Sequence, residues 1–171
     1  MDNEIENVEN AVEEADKAET LFVENSLLGQ VTADQDAIVE NSLVGQVTAN
    51  QDARIENSLV GVAAANNDIK FSDGGGGMFA AGHDLTLQDG GAMVIVAGGG
   101  AKIQEGGAAV LVAGAEANIE NGFVGLLISG AETNLSGESK VLATTEQAIA
   151  FGAALGATFA ALSFLLRRLR K

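Results

Sequence analysis

The residues VENSLLGQVTADQDAI (23–38) are followed at once by VENSLVGQVTANQDAR (39–54), and the same pattern continues to Ala150. Eight copies fit without insertion, because residues 23–150 number 128, which is eight times sixteen. All copies open on an apolar residue: Val23, Val39, Ile55, Phe71, Leu87, Ile103, Ile119 and Leu135. A short period repeated this often indicates units that bury their apolar faces only by stacking. Sixteen residues are too few for a helix pair, so the pattern predicts an all-β chain, a single-stack β-solenoid of about eight sixteen-residue coils.

The corners and strands of each coil follow from its composition. Counting the copies 1 to 8 and the repeat positions 1 to 16 from Val23, Asn, Asp, Ser and Gly concentrate at position 12 and at positions 3 and 4. These residue types are typical of tight turns. We therefore expect a long strand over positions 5 to 11 and a shorter strand from position 15 to position 2 of the next copy. Coils stacked about 4.8 Å apart would form a rod roughly 38 Å long.

Alternation along the long strand predicts which side chains face outward. With positions 5, 7, 9 and 11 inward, Leu27 and Gly29 would lie in the core, and positions 6, 8 and 10 would form an outer wall. This wall becomes apolar down the rod, and strands apolar on both faces are typically buried on both faces. We expect it to bind other subunits in a homo-oligomer through Val94, Val96, Val110, Val112, Val124, Leu126 and Ile128. The alternative is that a glycine kink shifts the register and returns these residues to the core.

Position 14 carries a column of carboxylates. Asp36, Asp52, Asp68 and Asp84 occupy it in the first four copies. We expect these side chains to accept hydrogen bonds from turn N–H groups. The alternative is weak calcium binding, since Ca²⁺ takes carboxylate oxygens as ligands.

Composition limits the classes of function. The net charge of −15 argues against nucleic acid as a partner, and the absence of Cys excludes disulfides and thiolate metal sites. The single histidine, His83, has no neighbouring nucleophile in the sequence, and no catalytic triad or metal cluster stands out. We therefore expect neither an enzyme nor a bound cofactor, and no small-molecule substrate is evident.

Residues 1–22 are acidic and helix-prone. Ile5, Val8, Val12 and Ala15 are spaced so that they form one apolar stripe along a helix. This segment is expected to be a cap on the first coil, because solenoids must cover their terminal edges. A short coiled coil between subunits is the alternative.

Residues 148–171 have the composition of a membrane anchor, and residues 23–147 then form the solenoid domain. Residues 148–166 contain no charged side chain, and as a helix they would span about 28 Å, close to the hydrocarbon thickness of a bilayer. A basic tail that suits lipid headgroups follows, with Arg167, Arg168, Arg170 and Lys171. Gly152, Gly156 and Ala160 recur every fourth residue and would permit close helix packing. The alternative is an alanine-rich helix buried in a soluble oligomer.

The orientation of this single-pass anchor rests on two opposing signals. The basic tail favours a cytoplasmic C-terminus and an external solenoid. No secretory signal peptide is recognisable at the N-terminus, which favours a cytoplasmic solenoid. We expect the solenoid to be cytoplasmic rather than extracellular.

The copies with their V/I-E-N-S-L-V-G corners and glycine stacks resemble β-solenoid proteins, and among small prokaryotic ones the bactofilins, which are polymer-forming cytoskeletal proteins associated with membranes. This resemblance covers the repeat region and implies a structural role. Together with the apolar wall, it predicts a membrane-anchored, self-assembling scaffold whose partners are other copies of the chain and the lipid bilayer. A surface-exposed adhesin or stalk is one alternative, and a membrane pore or transport component is another.

Overall fold

The computed structural model describes residues 20–144 and residue 147. Fourteen strands form one parallel sheet that winds as a solenoid of about eight coils. The strands are β1 (Thr20–Glu24), β2 (Leu27–Ala33), β3 (Asp36–Glu40), β4 (Leu43–Ala49), β5 (Ala53–Glu56), β6 (Leu59–Ala65), β7 (Ile69–Ala81), β8 (Leu85–Ala97), β9 (Ala101–Gln104), β10 (Gly107–Ala113), β11 (Ala117–Glu120), β12 (Phe123–Ser129), β13 (Thr133–Ser136) and β14 (Lys140–Thr144). The long and short strands lie where the repeat predicts them, and β7 and β8 each continue through a corner.

Paired strand residues lie one copy apart, at a spacing of sixteen residues in all strand pairs except β12 with β14. Val23 pairs with Val39 between β1 and β3, and Val47 pairs with Ala63 between β4 and β6. This spacing of sixteen residues stacks identical repeat positions directly on one another. The β-solenoid architecture predicted from the period is therefore confirmed for the described residues.

Position 3 forms a corner with left-handed backbone in every copy. Its φ angle is positive in seven non-glycine residues and in one glycine: Asn25, Asn41, Asn57, Asp73, Asp89, Glu105, Asn121 and Gly137. Asn and Asp tolerate this conformation better than most residues, which explains their choice here. The corner at position 12 turns without a positive φ in the described residues, so only the position 3 corner depends on this tolerance.

The long strand bends at position 7, and the inward set predicted from simple alternation is wrong in part. Leu27 at position 5 is 77% exposed, whereas Val44 and Val124 at position 6 are buried. Between β2 and β4 the pairs run to Leu28 with Val44, skip the glycines at position 7, and resume at position 8. The bend offsets the alternation, so that positions 6, 9 and 11 face the core while positions 5, 7, 8 and 10 face outward.

The core is a stack of side chains from positions 1, 6, 9, 11 and 15. Position 1 supplies fully buried residues such as Ile55 and Ile103, and position 11 supplies alanines where the chain nears the corner. In copy 4 the rings of Phe71 and Phe79 pack at 4.7 Å between centroids. Position 6 is Gly76 in that copy, and a Cβ there would collide with the ring of Phe79. The aromatic layer thus occupies space that position 6 fills with valine in copies 2, 3 and 7.

The last copy contains one extra residue. Ile119 pairs with Leu135 at a spacing of sixteen, but Phe123 pairs with Lys140 at a spacing of seventeen. The insertion lies at the corner after Gly137, where the Ser139 hydroxyl donates to the Ile119 carbonyl at 2.9 Å. The expectation of eight copies without insertion is therefore wrong for copy 8.

The first strand begins before the repeat does. Strand β1 starts at Thr20, so Thr20, Leu21 and Phe22 belong to the solenoid and not to the N-terminal helix expected over residues 1–22. The remainder of that predicted cap, residues 1–19, lies outside the described residues.

Candidate assembly surface

The solenoid presents three faces of different chemistry. The first carries positions 16 and 2 on the short strands and is polar from Arg54 onward. On it the Arg54 Nε donates to Glu56 Oε1 at 2.7 Å. The second carries positions 5 and 7, before the bend, and the third carries positions 8 and 10, after the bend. Because the coils stack in register, each face shows the same repeat positions along the whole rod.

The third face contains the part of the predicted outer wall that does face outward. From here the term outer wall means positions 8 and 10 of copies 3 to 7, without position 6. In copies 1 and 2 these positions are polar, with Gln30 and Thr32 in copy 1. In copies 3 to 7 they are uniformly apolar: Val62, Ala64, Met78, Ala80, Val94, Val96, Val110, Val112, Leu126 and Ile128. These residues form continuous columns, since Val110 pairs with Val94 on one side and with Leu126 on the other.

The wall is partly exposed along its length. Val96 and Ile128 are 38% and 37% exposed, and Val94, Val110, Val112 and Leu126 are half-buried. Six of the seven residues predicted for an oligomer interface therefore lie on one outward surface. Whether that surface binds another subunit remains a prediction.

Val124 does not belong to this surface. Its side chain is fully buried in the solenoid's own core, because position 6 lies before the bend and faces inward. The predicted glycine kink therefore exists, but it returns only position 6 to the core and leaves positions 8 and 10 outside.

The carboxylates of position 14 bind the backbone of the following coil. The Oδ1 of Asp36 accepts from the N–H of Asp52 at 3.1 Å, and Asp52 accepts from Asp68 at 3.2 Å. Asp68 accepts from Asp84 at 3.1 Å, and the series ends where Asp84 accepts from the N–H of Gly100 at 2.6 Å. The predicted turn hydrogen bonds are thus confirmed. Among residues 20–144 and 147, no group of three or more His, Cys, Asp or Glu is placed to hold a metal ion.

The second face carries two features that alternation had assigned to the interior. At position 5, copies 1 to 3 present exposed leucines, which we call the leucine ridge: Leu27, Leu43 and Leu59, at 77%, 52% and 62% exposure. Copies 4 to 6 have glycine at the same position, which we call the glycine groove: Gly75, Gly91 and Gly107. Phe123, 45% exposed, ends the groove in copy 7, and Met93, 67% exposed, stands beside it at position 7.

A sequence signal for this face was present. Three successive glycines at position 5 would leave a cavity if that position pointed into the core, so an inward position 5 is inconsistent with copies 4 to 6. Apolar residues at position 6, such as Leu28 and Val60, together with glycine at position 7, mark the bend that resolves the inconsistency.

Several predicted sites lie outside the described residues. These are the residues of the proposed membrane helix and basic tail: Gly152, Gly156, Ala160, Arg167, Arg168, Arg170 and Lys171. Within the described part of the chain, no helix is long and apolar enough to cross a bilayer.

Comparison of the chain with protein-family models, with curated protein sequences and with solved structures finds no match. These comparisons give no support for the predicted resemblance to bactofilins.

Proposed function

We propose that the protein is a membrane-anchored structural scaffold that self-assembles through its outer wall. The observation that carries this proposal is the wall itself: a rigid sheet surface, apolar over five consecutive coils and partly exposed. Exposed apolar patches that are continuous and rimmed by polar residues are typical of interaction sites. The polar residues at the same positions in copies 1 and 2 supply such a rim.

The energy available from the wall is modest. Complete burial of a valine or leucine stabilises by about 1.5 to 3 kcal/mol, so a side chain already two-thirds covered gains roughly a third of that. Six such residues supply a few kcal/mol per subunit, which is comparable to the lower range of association costs. Wall contacts alone therefore favour weak association in dilute solution.

An anchor in the C-terminal segment would raise that association. Confinement to a membrane increases the effective concentration of the subunits without adding a contact. Residues 148–166 supply the anchor in this proposal, the strip of Gly152, Gly156 and Ala160 permits helix packing, and the basic tail binds lipid headgroups. The mechanism is assembly, with the solenoid as a stiff spacer on the cytoplasmic side.

The test compares two pairs of lysine substitutions on the third face, one pair in the wall and one pair in copies 1 and 2. Val110→Lys with Val112→Lys places charges on the wall, whereas Thr32→Lys with Thr48→Lys places them where the face is already polar. In chemical cross-linking of the full chain reconstituted in vesicles, we expect the wall variant to lose the species joined through the wall, so that no oligomer larger than a dimer remains. The threonine variant should keep these species. A full chain that is monomeric in vesicles, or equal behaviour of the two variants, would overturn the proposed wall.

The membrane anchor is tested separately. The full chain should float with vesicles in a density gradient, and a chain ending at Thr145 should stay at the bottom. Circular dichroism of the shorter chain checks that its strands are intact. Flotation of both chains would place membrane binding on the solenoid instead.

A further inference from the structure

Gly75 and Gly91 are glycines that the solenoid itself does not require. Neither has a positive φ, and a Cβ added to either would meet no atom closer than 3.9 Å. At the adjacent position 7, by contrast, a Cβ on Gly61 would lie 2.5 Å from the carbonyl oxygen of Gly45. The backbone of the coil therefore explains the glycine at residue 61 but leaves Gly75 and Gly91 without an internal reason. At Gly107, the third glycine of the groove, a Cβ would lie 3.0 Å from the carbonyl oxygen of Phe123.

The leucine ridge has the opposite character. Leu27, Leu43 and Leu59 occupy the same repeat position as the groove glycines, yet they project into solvent. Leu43 pairs with Leu27 and with Leu59 in the sheet, so the three side chains stand one coil apart in a straight row. An isolated exposed leucine is ordinary. A row of leucines that continues into a row of glycines forms a ridge next to a groove, and a surface of complementary shape can bind there.

We propose that the second face pairs with the same face of a second copy, antiparallel, so that each leucine ridge fills the other copy's glycine groove. A two-fold axis along the strand direction, passing between copies 3 and 4, generates this arrangement. It places Leu59 on Gly75, Leu43 on Gly91 and Leu27 on Gly107 of the second copy. The contact is isologous, since both surfaces are the same and each supplies a ridge and a groove.

The side chains at position 7 are also compatible with this two-fold axis. The axis sets copy 2 of one chain against copy 5 of the other, so that Gly45 lies opposite Met93. Met93 is the one large side chain at position 7 of copies 1 to 7, and it meets a glycine. In the other two pairs, Gly61 lies opposite Gly77 and Gly29 lies opposite Ala109. Neither pair contains a large side chain, so the two faces can approach closely.

The charges at the corner beside the ridge also agree with this axis. Position 3 has neutral amides in copies 1 to 3 and carboxylates in copies 4 to 6, so the axis sets Asn57 against Asp73 and Asn41 against Asp89. Asn side chains donate hydrogen bonds and carboxylates accept them. A parallel arrangement would instead put leucine on leucine and Asp73 on Asp73, which costs both shape and charge complementarity.

This inference concerns a different face from the outer wall and does not depend on the proposed scaffold. Its test uses the absence of cysteine from the chain, which makes any introduced cysteine unique. Full chains with Leu43→Cys and with Gly91→Cys, carrying different tags, are prepared separately, mixed, and treated with a short bifunctional thiol reagent. Lys102→Cys on the polar first face replaces Leu43→Cys in the control mixture.

We expect a cross-linked heterodimer only when Leu43→Cys and Gly91→Cys are mixed. In the antiparallel register, residue 43 and its own symmetry copy are three coil spacings apart, about 14 Å, and so are the two copies of residue 91. Cross-linking of Leu43→Cys with itself would indicate a parallel pair and overturn the proposal. Failure of the mixture, with both thiols shown to react with a monofunctional reagent, would overturn it as well.

A residue swap tests the register without cysteine. Gly91→Leu fills the groove and Leu43→Gly removes part of the ridge, and each should weaken dimerisation about tenfold or more. The double variant Leu43→Gly with Gly91→Leu exchanges ridge and groove and should restore it. Because Gly91 has open space at its Cβ, the filled variant should keep its unfolding midpoint, and a double variant no better than the single ones would contradict the pairing.

The two interfaces can fail separately. Val110→Lys with Val112→Lys should leave the cross-link between residues 43 and 91 unchanged if the second face pairs as proposed. Loss of that cross-link in the wall variant would overturn a distinct second interface and leave the outer wall as the assembly surface.

Discussion

Copies 1 to 3 and copies 4 to 7 stack in one register on one kind of core, yet their surfaces differ. The corner at position 4 is a serine in the first region, buried in copies 2 and 3. There Ser42 Oγ donates to the Glu40 carbonyl at 2.7 Å and accepts from the Ser26 N–H at 3.1 Å. In the second region it is glycine, as at Gly90. Position 5 changes from leucine to glycine at the same place.

The outer wall changes at another place. Positions 8 and 10 are already apolar in copy 3, with Val62 and Ala64, although that copy keeps Ser58 and Leu59 of the first region. The boundary of the wall therefore lies one coil before the boundary between ridge and groove. The two surfaces begin at different coils, so they are separate features of the rod, as two different contacts would require.

The largest change in the free energy of unfolding is expected when the aromatic core of copy 4 is replaced by the smaller residues of copy 3. Phe79→Ala should lower the free energy of unfolding by about 3 to 5 kcal/mol, because Gly76 leaves no neighbouring side chain to fill the cavity. Copy 3 has Val60 and Ala63 at these positions, so Gly76→Val with Phe79→Ala should recover part of the loss. Urea unfolding of the full chain in detergent, followed by circular dichroism, measures both. If the double variant were as unstable as Phe79→Ala alone, the valine–alanine pair of copy 3 could not replace the glycine–phenylalanine pair in the core of copy 4.

A smaller effect separates two glycines of copy 4 that lie two residues apart. Gly77→Ala should destabilise by about 1 to 3 kcal/mol, since its Cβ would press on the carbonyl oxygen of Gly61. Gly75→Ala should be neutral or stabilise by up to about 1 kcal/mol, since its Cβ meets open space and the unfolded chain loses freedom. The unfolding midpoints of the two variants make a matched pair, and equal losses would mean that position 5 is packed within the subunit.

The corners of the two regions should differ by about 1 kcal/mol. Glu105 has φ of 51° and Asn57 has φ of 46°, and glutamate tolerates this conformation less well than asparagine. Glu105→Gly should therefore raise stability by about 1 kcal/mol, and Asn57→Gly by less. Thermal unfolding compares them, and a larger gain at residue 57 would contradict the strain argument.

The smallest effect concerns the carboxylate column of position 14. Asp68→Ala removes the acceptor for the Asp84 N–H and should cost up to about 1 kcal/mol, since the hydrogen bond is exposed. Asp68→Asn keeps an acceptor oxygen and should be close to neutral. Thermal unfolding with and without calcium chloride completes the comparison. A midpoint that rises with calcium in the natural chain but not in Asp68→Asn would support the calcium alternative.

The period, the corners and most core positions could be predicted from the sequence because stacking makes each position repeat its environment. Position 1 is apolar in every copy and position 3 is rich in Asn and Asp, so both could be assigned from their columns. The orientation of the long strand could not be derived from alternation, which assumes a straight strand. One bend at Gly29 and its equivalents exchanges the environments of positions 5 and 6, and it moved Val124 into the core.

One of the two candidate surfaces, the outer wall, could be predicted from the sequence, and the other, the ridge and groove, could not. Val94, Val96, Val110 and Val112 lie after the bend, so the outward orientation of their side chains could be predicted from pattern alone. The ridge and groove lie before the bend, where simple alternation assigns position 5 to the core, so they could not be recognised as a surface. The insertion near Ser139 was missed because the last copy has diverged most, and a shift of one residue leaves its polar composition unchanged.

The aromatic layer of copy 4 has a consequence for folding. Copies 1 and 2 differ at only three of sixteen positions, so a growing stack can slip by a whole turn and still match its apolar residues. Copy 4 differs from these copies in its core, because Phe71 and Phe79 fill it where Gly76 makes room, and no other copy has an aromatic residue at position 1 or 9. A stack that skips one turn before copy 4 therefore moves the aromatic layer, and with it the start of the glycine groove, by one coil along the rod.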